Sequence, residues 1–180
     1  MRVITGTAKG RRLTTLEGED IRPTSDKVKG AIFNSIQFDI EGRTVLDLFA
    51  GSGSLGIEAL SRGAKKAVFV DLSRDAVRVV NENLEHCKLK EDAVVFNGDS
   101  LSYLKTTREK FDIVFIDPPY RKQLSQKALS LVEKVMNEGG IIVCETGSDE
   151  EVPDRIGNYT VAKSDTYSKT KLTIYRYSEE

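Results

Sequence analysis

The residues best suited to chemistry are Asp117-Pro118-Pro119-Tyr120, at the end of the apolar run Phe111–Asp117. Two consecutive prolines fix φ and remove two backbone donors. Carbonyls there can point outward from a rigid turn. Asp117 and the Pro118 carbonyl can then accept the two hydrogens of an –NH₂ group. Such acceptance raises electron density on a nitrogen whose lone pair is otherwise delocalised into a base. Tyr120 offers a flat face for that base, and stacking of this kind is worth about 1–3 kcal/mol in single-strand systems. The chemistry this predicts is attack by the nitrogen on an electrophilic methyl group, driven mainly by positioning and electrostatics. Asp117 can take the proton afterwards, and no histidine base is needed. A base inside a duplex cannot reach such a turn, so the target must be unpaired or flipped out. A plain rigid turn with Tyr120 as an edge aromatic is the competing reading.

A second cluster lies upstream. Asp47-Leu48-Phe49-Ala50-Gly51-Ser52-Gly53-Ser54-Leu55-Gly56 contains Gly-x-Gly-x-x-Gly after an apolar run, and Asp71 stands about 20 residues on, as a ribose-binding acid would. Taken alone, this fits a nicotinamide-binding fingerprint. Two acids point elsewhere. Asp47 precedes the loop, where a carboxylate would repel a pyrophosphate and attract an ammonium. Asp99, in Asn97-Gly98-Asp99-Ser100, can accept from an adenine amino group. Ammonium, ribose diol and adenine together describe S-adenosylmethionine. Candidate contacts are therefore Asp47, Phe49, Ala50, Gly51, Ser52 and Gly53, with Asp71 and Leu72, and Asp99 and Ser100. A helix N-cap is an alternative role for Asp99-Ser100, since Asp and Ser are common at such junctions.

These residues need elements to hold them. Residues 2–5 and 11–16 read as two short strands of a hairpin, and residues 25–38 as a helix with Val28, Ala31, Ile32, Ser35 and Ile36 on one face, capped by Thr24 or Ser25. Apolar runs then alternate with helical stretches. The runs are Thr44–Phe49, Ala67–Asp71, Ala93–Asp99, Phe111–Asp117 and Gly140–Glu145, with a helix over about 122–137 before the last. That alternation predicts βαβ units and a mostly parallel, buried sheet. Tyr159–Thr166 and Leu172–Tyr177 have no helix between them and read as an antiparallel hairpin on the sheet edge. Ligands in such sheets bind beyond the C-terminal strand ends, where all the singled-out acids fall.

Composition narrows the classes. The 180 residues suit one domain, taken as 1–20 for the hairpin extension and 21–180 for a catalytic core. No apolar run could span a bilayer and no signal core opens the chain, so the expected location is the cytoplasm, away from membranes. Two cysteines without ligand spacing and a single histidine, His86, speak against a metal site and a Ser–His–Asp triad. His86 reads as a solvated helix end. Net charge is −1, yet residues 1–15 hold Arg2, Lys9, Arg11 and Arg12 with no acid, a local basic arm compatible with RNA or DNA. An ordinary solvated hairpin explains the same charges.

The motifs carry a family resemblance. The chain resembles the RsmD family, bacterial methyltransferases of guanine N2 in small-subunit (16S) ribosomal RNA, over nearly its whole length. The similarity rests on Arg2-Val3-Ile4-x-Gly6 with Lys9-Gly10-Arg11-Arg12-Leu13, and on Arg22-Pro23-Thr24-Ser25-Asp26-Lys27-Val28-Lys29. It continues through the glycine loop to Glu58-Ala59-Leu60-Ser61-Arg62-Gly63-Ala64, Asp117-Pro118-Pro119-Tyr120 and Tyr167-Ser168-Lys169-Thr170. The resemblance implies a class I, Rossmann-like methyltransferase sheet of seven strands with the last antiparallel, S-adenosylmethionine as cofactor, and Lys9, Arg11, Arg12 and Arg22 near the RNA. The expected partner is ribosomal RNA within the small subunit or its precursor, met by a monomer. Rivals are an adenine-N6 methyltransferase on RNA or DNA, a protein-glutamine methyltransferase, a nicotinamide-dependent oxidoreductase, and a non-catalytic nucleotide module. The glutamine enzyme's motif begins with Asn where this chain has Asp117.

Overall fold

The computed structural model describes residues 1–16, 25–119 and 123–179. Helix α1 (Asp26–Ile36) is followed by β1 (Thr44–Leu48), α2 (Ser54–Ser61), β2 (Lys66–Asp71), α3 (Arg74–His86), β3 (Ala93–Asn97) and α4 (Ser100–Thr106). Then come β4 (Phe111–Ile116), α5 (Leu124–Leu131), β5 (Met136–Gly147), β6 (Arg155–Ile156), β7 (Tyr159–Tyr167) and β8 (Thr170–Tyr177). One sheet runs β3-β2-β1-β4-β5-β8-β7-β6. The first five of these strands are parallel and β8 is antiparallel to β5. Helices α1, α2 and α3 cover one face, and α4 and α5 the other.

This is the mostly parallel, buried sheet the alternation predicts, because each apolar strand needs a helix on both of its faces to stay dry. The chain winds outward from β1 through β2 to β3, then returns to β4 and β5 on the other side. The order therefore reverses between β1 and β4. A crevice opens at such a switch point, beyond the strand ends.

Several elements differ from the sequence expectation. The hairpin at 2–5 and 11–16 reduces to one antiparallel bridge, Arg2 to Arg12, although Val3 N–H reaches Arg11 O (3.0 Å) and Gly10 N–H reaches Val3 O (2.8 Å). Its backbone is spent instead on α2: Ile4 and Thr5 donate to Glu58, and Thr7 to the Ser61 carbonyl. The helix expected to 137 stops at Leu131; Val132–Val135 form a 3₁₀ turn and β5 begins at Met136. Among the described residues the sheet has eight strands rather than seven, because Arg155–Ile156 adds a two-residue edge to β7. Of the expected α1 face, Val28, Ile32 and Ile36 are buried, but so are Lys29 and Phe33. Ser25 caps α1 through Val28 N–H, while Thr24 lies outside the described residues. His86 is the exposed last residue of α3, as expected, and both cysteines are buried free thiols. Among the described residues, no helix is long and apolar enough to cross a membrane.

Candidate active site

The loop after β1 uses backbone conformations that side chains rarely adopt. Phe49, Gly51 and Gly53 all have positive φ, at 55°, 59° and 82°. Glycine tolerates this region freely; Phe49 does not, and its strain is fixed by the bond from its N–H to Ser100 Oγ (3.2 Å). Gly56 serves packing. A Cβ there would lie 2.6 Å from the Phe69 ring, so only glycine lets α2 rest on β2.

The acids that sequence singled out converge here. A cavity of about 470 Å³ sits over the switch point, bordered by Asp47, Asp71, Asp99 and Asp117. Phe49, Ala50, Gly51 and Ser52 form its β1 side, Leu72 and Ser100 the β2 and β3 side, and Pro118 and Pro119 the β4 side. Gly53 is not on its surface but ends the loop as the left-handed N-cap of α2. Leu72 is 70% exposed beside Asp71, a bare apolar surface at the cavity.

Each acid has a distinct environment. Asp47 is buried and accepts from Gly56 N–H at 3.0 Å. Burial pushes its carboxyl well above the usual carboxylate range; the Gly56 bond opposes that, and Asp117 and Asp71 reinforce it. Asp71 accepts from Gly51 N–H and from Ser73 N–H, both at 2.9 Å, which locks the carboxylate to the glycine loop. Asp99 caps α4, its Oδ2 accepting from Ser102 N–H at 2.9 Å. The capping role foreseen for this residue is thus real, and it coexists with a place on the cavity.

The basic arm expected near the RNA lies apart from this cavity. Lys9, Arg11 and Arg12 do not line it. The turn at residues 6–10 docks on Ser61, at the far end of α2, and Gly6 approaches the Ser61 carbonyl too closely for any side chain. Arg11 donates to the His86 carbonyl (3.1 Å), satisfying the C-terminal end of α3. Lys9 and Arg12 are exposed. Arg22 and Tyr120 lie outside the described residues.

Sequence reasoning missed Met1, Thr15, Leu16 and Leu124, which also border the cavity. It had no signal for them, because only the fold carries the N-terminal segment to the strand ends. It also missed Glu58, buried on α2, which ties Ile4, Thr5, Lys29 and Arg62 together. A second depression, of about 570 Å³, lies between α5 and residues 151–157. Two of its charged groups are engaged locally: Glu133 accepts from Asn158 N–H, and Arg155 donates to the Gly157 carbonyl.

The model of a family described as conserved hypothetical protein 95 matches residues 1–176. The chain belongs to this family. A putative rRNA methyltransferase, YlbH, of Bacillus subtilis (strain 168) is 40% identical over 181 aligned positions, covering 98% of each chain. The ribosomal RNA small subunit methyltransferase D of Haemophilus influenzae is 38% identical over 183 positions, covering 98% of this chain and 93% of its own. Among solved structures, a putative methyltransferase, yhhF, from Escherichia coli superposes with a TM-score of 0.88 at 30% identity, covering 100% of this chain and 99% of that one. Family membership and the shared fold agree with the resemblance read from the motifs.

Proposed function

We propose that this chain is an S-adenosylmethionine-dependent methyltransferase that modifies the exocyclic N2 amino group of a guanine in small-subunit ribosomal RNA. The observation that carries the reading is one cavity at the switch point, bordered by Asp47, Asp71, Asp99 and the Asp117-Pro118-Pro119 turn. The names of the family relatives support ribosomal RNA as substrate, and the resemblance implies guanine N2.

The donor set suits the cofactor. A cavity of about 470 Å³ lies within the range that encloses small ligands. Asp47, buried and crowded by other acids, would be stabilised by a ligand ammonium. Each Asp71 oxygen accepts one backbone N–H and keeps a second lone pair for a ribose hydroxyl. The Asp99 cap uses Oδ2, which leaves Oδ1 for an adenine amino group, and exposed Leu72 would cover the ring. S-adenosylmethionine supplies an electrophilic methyl group on a sulfonium.

On the other side of the cavity, Asp117 and the Pro118 carbonyl accept the two amino hydrogens of the target base. Both groups are fixed by a β-strand and a proline turn, so little reorganisation is needed as charge develops on nitrogen. Asp117 then accepts the proton. Tyr120 stacks on the base, and Lys9, Arg12 and Arg22 meet the RNA backbone. A nicotinamide reading suits the cavity poorly, since a pyrophosphate would face the Asp47 carboxylate.

The test is transfer of radiolabelled methyl from S-adenosylmethionine to small ribosomal subunits lacking the modification, followed by nucleoside analysis. Label in N2-methylguanosine is expected. Label in N6-methyladenosine would keep the mechanism and replace the target, while absence of label from all RNA would overturn the proposal.

A further inference from the structure

We propose that Asn83 is a positioning residue that clasps the N-terminal segment to the glycine loop and so shapes two walls of the cofactor cavity at once. The inference rests on the cofactor reading above and assigns a role to residues outside the four acids.

Asn83 lies on α3, on the face that also buries Ala76, Val79, Val80 and Leu84, and is itself 2% exposed. A carboxamide in such surroundings is costly unless its hydrogen bonds are made. Here three are made. Nδ2 donates to the Ser52 carbonyl (2.9 Å) and to the Thr14 carbonyl (3.0 Å), and Oδ1 accepts from Thr14 N–H (2.8 Å). The side chain thus pairs with the Thr14 backbone as a strand neighbour would, and its remaining reach goes to the loop.

Both partners occupy decisive places. Ser52 sits between Gly51 and Gly53, two left-handed residues whose freedom leaves the peptide planes of the loop undetermined by sterics. A bond to the Ser52 carbonyl fixes one of those planes. Thr14 directly precedes Thr15 and Leu16, which border the cavity. Met1 completes that wall: Leu13 N–H donates to its carbonyl (2.8 Å), and Ser54 Oγ donates to its Sδ (2.8 Å). One buried amide therefore sets the separation between the glycine loop and the segment opposite it. If that segment shifts, the loop loses a bond, and the reverse holds as well.

The test measures S-adenosylhomocysteine binding by calorimetry alongside hydrogen exchange of residues 1–16, in the full chain. Asn83→Asp keeps the volume and the bond from Thr14 N–H but turns a carboxylate toward two carbonyls. Thr14→Pro removes that N–H from an exposed residue without touching α3. Leu16→Ala trims the wall alone. Each is expected to weaken binding, by about tenfold or more for Asn83→Asp, since buried partners are left unsatisfied. Exchange should quicken in residues 1–16 for the first two variants and stay unchanged for Leu16→Ala. In methyl transfer, KM for the cofactor should rise more than kcat falls. Wild-type affinity in both Asn83→Asp and Thr14→Pro would overturn the proposal. So would weakened affinity with undisturbed exchange in residues 1–16. Failure of the wild-type chain to bind S-adenosylhomocysteine would instead overturn the cofactor reading itself.

Discussion

Glu58 offers a stability prediction with an internal control. Its carboxylate, fully buried on α2, accepts from Ile4 N–H (2.8 Å), Thr5 N–H (3.0 Å) and Arg62 Nε (2.8 Å), and pairs with Lys29 Nζ at 3.1 Å. Burial alone would raise its pKa. The Ile4 bond, Lys29, Arg62 and the Thr5 bond outweigh burial and bring it below the usual value. Lys29 goes the other way in net balance: burial lowers its pKa despite Glu58. Geometry sets the asymmetry: Glu58 holds four groups, whereas Lys29 reaches Glu58 and the Arg2 carbonyl. Glu58→Gln should therefore cost about 3–5 kcal/mol, the usual penalty for stranding a buried charge. At 2–4 °C per kcal/mol for a domain of this size, Tm should fall by roughly 6–20 °C. Lys29→Met should cost less, roughly 1–2 kcal/mol, because Glu58 keeps three donors and the lost part-buried bond ends on the carbonyl of Arg2, an exposed residue. Glu58, with a depressed pKa, contributes stability above about pH 4.5 that disappears as pH falls through its folded value, and Glu58→Gln should flatten that acid limb. Urea melts of both variants from pH 3 to 8 provide the assay. Equal losses for the two variants, or a larger loss for Lys29→Met, would refute the asymmetry and the electrostatic reasoning behind it.

Further outcomes concern the cavity. Asp117→Ala should reduce methyl transfer at least a hundredfold, the usual order for losing a positioned transition-state acceptor, with calorimetric affinity for S-adenosylhomocysteine held within a few-fold. A comparable loss of both would make the residue structural. Asp47→Asn retains an acceptor for Gly56 N–H and removes a carboxyl whose pKa is raised by burial. The raised pKa means that apo stability is lost as pH climbs from about 4 through the folded value. The variant should therefore melt higher than wild type at neutral pH yet bind the cofactor more weakly, and a lower Tm would contradict the burial argument. Gly56→Ala puts a Cβ 2.6 Å from the Phe69 ring. Overpacking of about 1–3 kcal/mol should exceed the helix-propensity gain of about 1 kcal/mol, so chemical denaturation should show net destabilisation.

Much of the site was legible along the chain because parallel βαβ units place every strand end on one edge. An acid at the end of a strand, as at Asp47, Asp71 and Asp117, must then face the same crevice, whatever the details of packing. The glycine spacing was legible for the same reason, although its parts divide: Gly51 and Gly53 serve backbone conformation, while Gly56 serves the contact with Phe69. The basic arm was legible as charge but not as position. Charge can be counted in a sequence, but Arg11 spends a donor on the His86 carbonyl at the end of α3, and the docking partner of a hairpin is not encoded by its own periodicity. The 3₁₀ turn at Val132–Val135 reads as helix because both periodicities bury similar apolar positions.

The sequence by itself determined the fold class, the strand ends and the residue types that face the crevice, since these follow from local periodicity and turn chemistry. Only the tertiary structure decided which side chains hold those parts together. Asn83 reaches 69 residues back to Thr14 and 31 residues to Ser52, and Glu58 reaches more than 50 residues to Ile4 and Thr5. Such long-range polar pairings depend on how helices and loops are stacked over the sheet. No local pattern distinguishes a buried Asn or Glu that clasps two segments from one that faces water.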